Sequence, residues 1–119
     1  MKYLLLTLAL FSSNVFAQET WYKYGESTDF HFFIKVGSYQ PTKDGGQVIQ
    51  KVEQKTNLAL TFYLIEMKTK DCNKGYGFVY KNSLDGKLVS QLDYVEGGET
   101  IAQTAGEALC ELIKSTKSI

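Results

Sequence analysis

The chain has 119 residues, with 13 basic and 13 acidic side chains, one histidine and two cysteines, and every basic residue is a lysine. Balanced charge and the lack of arginine, whose planar guanidinium is the usual reader of phosphate, argue against nucleic acid as a partner. A single histidine leaves no base and orienting partner to assign around any serine or threonine, so a non-enzymatic protein is expected.

Met1-Lys2 supplies a positive start, Tyr3 to Phe11 a short apolar run, and Val15-Phe16-Ala17 the small-residue pattern of a signal-peptidase site. The expected division is a signal peptide over 1–17 and one domain over 18–119, a mature length of 102 residues that suits a single core. The mature segment holds no stretch near the roughly 18 apolar residues that a spanning helix needs. Gln18 stands where a lipoprotein would carry its acylated cysteine, so a soluble, periplasmic protein is expected, with the cell surface or the extracellular space as alternatives. In an oxidising compartment the even cysteine count implies a bridge between Cys72 and Cys110.

Trp21 to Tyr24 opens an aromatic-rich strand, and Gly25-Glu26-Ser27-Thr28-Asp29 reads as the turn of a hairpin. Phe30 to Val36 alternates, with Phe30, Phe32, Ile34 and Val36 on one face and His31, Phe33 and Lys35 on the other. Gly37 to Gly46, with the only proline, Pro41, reads as a surface loop into a polar, peripheral strand over Gln47 to Lys55. Leu58 to Met67 is the most apolar mature segment and is expected to be a central strand buried on both faces. Tyr76 to Lys81 and Lys87 to Val95 then form a hairpin about an Asp85-Gly86 tip. After Gly97-Gly98 the period becomes helical. Thr100-Ile101-Ala102-Gln103 is a capping-box pattern, and Ile101, Ala105, Ala108, Leu109 and Leu112 form one apolar stripe, with Cys110 off its centre behind Ala102 and Gly106. The expected fold class is α+β: an antiparallel sheet of about six strands with one C-terminal helix packed on one face and tied by the disulfide.

The segments Trp21-Tyr22-Lys23-Tyr24-Gly25-Glu26-Ser27, Asp71-Cys72 before a glycine-rich strand, and Gly106-Glu107-Ala108-Leu109-Cys110 resemble the surface-adhesin protein E family of Gram-negative bacteria, over essentially the whole mature chain. That resemblance implies an antiparallel sheet with a disulfide-tied C-terminal helix. Its implied activity is binding of host matrix proteins and plasminogen by a surface lipoprotein, although the lipidated cysteine is missing here.

His31 is read as structural or exposed rather than as a metal ligand. Asp93, Glu96 and Glu99 are read as complementing a helix dipole, and Gly75-Tyr76-Gly77 as strand glycine rather than a phosphate loop. No cofactor is expected. Tyr76, Phe78 and Tyr80 share one side of their strand, with Gly77 and Val79 on the other. This stripe is either a partner or homodimer surface, to which tyrosine is suited, or core covered by the N-terminal strand and sheet curvature. Two functions follow: an adhesin-E-like protein-binding module, or a periplasmic inhibitor or immunity protein that blocks a cell-wall enzyme or toxin.

Overall fold

The computed structural model describes residues 20–117. The signal peptide and Gln18 lie outside them. Alternating side chains build seven strands: β1 (Trp21–Glu26), β2 (Phe30–Lys35), β3 (Gln40–Pro41), β4 (Gly45–Gln54), β5 (Leu60–Lys68), β6 (Tyr76–Asn82) and β7 (Leu88–Val95). A short helix, α1 (Thr69–Lys74), joins β5 to β6, and the chain continues from β7 into α2 (Ile101–Lys117). The strands form one antiparallel sheet in the order β1-β2-β4-β5-β6-β7, with the two-residue β3 beside β4. No helix among the described residues is long and apolar enough to cross a membrane.

Directly opposed residues of antiparallel strands point to the same face, so the register assigns every side chain. Val48 opposes Ile65, Met67 opposes Val79, and Gly77 opposes Tyr94. Val48, Ile65, Met67, Val79 and Tyr94 join Ile34 of β2 and Ala105, Leu109, Cys110 and Ile113 of α2 in one buried cluster. Gly106 lets the helix approach β7: a Cβ there would stand 2.4 Å from the Tyr94 ring.

The Cys72–Cys110 disulfide forms across 38 residues, with Cα atoms 5.6 Å apart, and ties α1 to α2. Cys110 is itself buried in the core, and Ile113 joins it, so the helix turns its buried face further toward Gly106, Cys110 and Ile113 than the apolar stripe alone indicates. Thr100 Oγ1 accepts the Gln103 N–H at 3.2 Å, which is half of the expected capping box. The return bond does not form; Gln103 Oε1 is buried with no hydrogen-bond partner among the described residues.

Three expectations need correction. β4 is central, not peripheral, because it pairs with β2 and β3 along one edge and β5 along the other and buries Val48, Gln50 and Val52. β5 is central but buried on one face only, since Leu60 and Phe62 stay 49% and 38% exposed. The short α1 adds a second helix where one was expected, and Gly75 is its left-handed C-cap at φ 83° and not strand glycine.

At the tip of the β1–β2 hairpin, Glu26 receives Lys23 Nζ and Lys55 Nζ, each at 2.7 Å. The Lys23 hydrogen bond, then the Lys55 one, holds the Glu26 carboxyl down at about 2. Since the folded value lies below the ordinary 4.5, this contact contributes fully above pH 4.5 and is lost as pH falls through about 2. The group is solvent-exposed and easily screened, so the effect on stability is small. A carbon-detected NMR titration should place the Glu26 midpoint near 2 at low salt and higher in concentrated salt. An ordinary midpoint at low salt would show that the ammonium contacts do not persist in solution.

Candidate functional site

The sheet face opposite the core carries the aromatic stripe of β6. Tyr76 opposes Val95, Phe78 opposes Asp93, and Tyr80 lies between Gln91 and Glu66, while Val79, one step out of phase, is buried. Tyr76 is 58% exposed and Phe78 37%. The Phe78 and Tyr80 rings sit 6.3 Å apart in a tilted arrangement. Lys68 Nζ lies 5.1 Å from the Tyr80 ring centroid and Lys74 Nζ 4.8 Å from that of Tyr76, within cation–π range.

Below Phe78, α1 takes the place of β5 along β6. The sheet hydrogen bond is replaced there by the Phe78 N–H donating to Asp71 Oδ2 at 3.3 Å. Asp71 is buried, and its other oxygen lies 3.6 Å from Lys74 Nζ. The close approach needs Gly77, because a Cβ would fall 2.2 Å from Asp71 Cγ and the glycine sits at φ 151°. Between α1 and β6 this leaves an open cleft of about 470 Å³, bounded by all three stripe residues, Lys70, Lys74 and Asp93. The arrangement suits recognition of a partner surface: flat rings supply contact area, ammonium groups stand at both ends, and one carboxylate lies across the strand pair.

A second aromatic group on the same face was not anticipated. Phe33, Lys51 and Phe62 stand in one row across β2, β4 and β5. Lys51 Nζ sits 4.6 Å from the Trp21 ring and 4.5 Å from the Phe33 ring, and Trp21 meets Phe62 at 5.9 Å. The alternation that separates Phe33 from Phe32 points to this group, but the apolar run of β5 does not show that one of its sides stays exposed.

His31 lies across from Glu53 with its ring tilted against Phe33. Its Nδ1 is buried without a hydrogen-bond partner among the described residues. Among those residues no three His, Cys, Asp or Glu side chains are grouped to hold a metal ion. Asp93 faces Phe78, and the Glu96 N–H donates to the Gly75 carbonyl at 2.8 Å. Comparison with family models, with curated proteins and with solved structures finds no match to this chain.

Proposed function

We propose that this chain is an exported, non-enzymatic protein-binding module of adhesin-E type, with α2 covering one sheet face and the other face left to engage a partner. The observation that carries the reading is the Tyr76–Phe78–Tyr80 stripe, with Tyr76 and Phe78 exposed and Tyr80 half-buried, flanked by Lys68 and Lys74. Core aromatics in a small domain are covered by their own chain, whereas the Tyr76 and Phe78 rings are exposed and lie one residue out of phase with the buried Val79. The disulfide fits an oxidising compartment, and the lack of arginine with near-neutral charge favours a protein partner over a polyanion.

The test is binding of the purified protein to immobilised host matrix proteins, compared between wild type and Phe78→Ser. Loss of a central aromatic anchor should weaken binding at least about tenfold, since such residues typically contribute 2 kcal/mol or more. The melting temperature should change little, because the ring is partly exposed. A large fall in melting temperature with unchanged binding or self-association would overturn the interface reading.

A further inference from the structure

A separate cavity of about 230 Å³ opens between the sheet and the N-terminal half of α2, walled largely by Tyr24, Phe32, Ile65, Val79, Ile101 and Ala105. It is smaller than the roughly 300 Å³ at which drug-sized sites begin, yet holds several times the roughly 30 Å³ share of one water. Its scale is that of a single ring.

The wall is apolar apart from Gln50, the Tyr24 hydroxyl and Lys81. Gln50 reaches it from the middle of β4 and is only 3% exposed. Its Nε2 donates to Tyr24 Oη at 2.5 Å, and its Oε1 is buried with no hydrogen-bond partner among the described residues. If the amide is turned over, Oε1 accepts from the Tyr24 hydroxyl and the NH₂ is left over instead. In either orientation the pair keeps unspent hydrogen-bonding capacity, which is costly in a buried site. Lys81 also lines the cavity; its ammonium lies 4.5 Å from the ring of Tyr63, which is not among the lining residues. The lysine therefore presents mainly its stem, and an anion gains little there.

We propose that this cavity binds a small neutral ring bearing one hydroxyl, of phenol size, its ring against Ile65, Val79 and Ala105 and its hydroxyl on the Gln50–Tyr24 pair. A hydroxyl both donates and accepts, so it completes the pair in either amide orientation. This site is on the opposite side of the sheet from the aromatic stripe and does not depend on the protein-binding reading.

The probes are phenol and benzene, titrated separately into isotope-labelled protein and followed by methyl and amide NMR. Phenol should shift the Ile65, Val79, Ala102 and Ala105 signals saturably, and benzene should bind roughly fivefold more weakly, the worth of one net hydrogen bond. In Tyr24→Phe/Gln50→Leu the preference should vanish or reverse. Tyr24→Phe alone, which keeps the ring, should narrow it and serves as the milder variant if the double one does not fold. Equal affinity for the two probes, shifts confined to Trp21, Phe33 and Phe62, or a cavity holding only water at millimolar phenol would each overturn the proposal.

Discussion

Replacing Cys72 and Cys110 by serine is expected to cost about 4 kcal/mol of stability, from the entropy of closing a loop of this length in the unfolded chain. Their separation of 38 residues spans β6, β7 and the first half of α2, so without the bridge the unfolded chain is much freer. α1 has six residues, too few to persist as an isolated helix, and depends on tertiary ties such as this bond and the Asp71 contact. Small domains have about 5–15 kcal/mol in total, so the serine variant should be marginal. Urea denaturation with and without reductant, paired with mass measurement after alkylation, checks both parts. Two thiols open to alkylation in the native protein, or an unchanged midpoint on reduction, would contradict the account.

The second large effect is expected at Leu109. Its side chain is fully buried in the cluster that α2 shares with Val48, Ile65, Met67 and Val79. Leu109→Ala removes the apolar contact of three heavy atoms and leaves a cavity that a disulfide-tied helix cannot easily close, a loss of about 2–5 kcal/mol. Leu88→Ala is the control, since Leu88 is 59% exposed on edge strand β7 and its truncation should fall within about 0.5 kcal/mol of neutral. Similar denaturation midpoints for the two variants would mean that α2 does not share the core with the sheet.

The features legible in the chain were those with local causes. Thr100 announces α2 because its hydroxyl accepts an amide three residues on, and the alternation about Val79 groups Tyr76, Phe78 and Tyr80 on one side of β6 without saying whether that side is covered. Asp85-Gly86 marks the β6–β7 turn through a conformation that glycine adopts readily, φ 94° at Gly86. What escaped has distant causes. β4 reads as peripheral because it is polar, yet it buries Gln50 by bonding it to Tyr24, which lies 26 residues earlier. α1 is too short to show a helical period and is held by Phe78 and Cys110 from later in the chain. The apolar run of β5 does not distinguish a strand covered on both faces from one whose Leu60 and Phe62 stay open. The stripe is therefore legible within its own strand, while the Trp21, Phe33, Lys51 and Phe62 group depends on the register of four strands.

Those two aromatic groups lie on one sheet face, and a side-chain footprint of the protein bound to a host matrix protein distinguishes them most directly. Oxidative labelling of free and bound protein, read by mass spectrometry, should show protection at Tyr76, Phe78 and Tyr80, with Trp21, Phe33 and Phe62 labelled as before. Protection confined to Trp21, Phe33 and Phe62, or to the outer face of α2, would contradict the assignment of the β6 stripe as the binding surface.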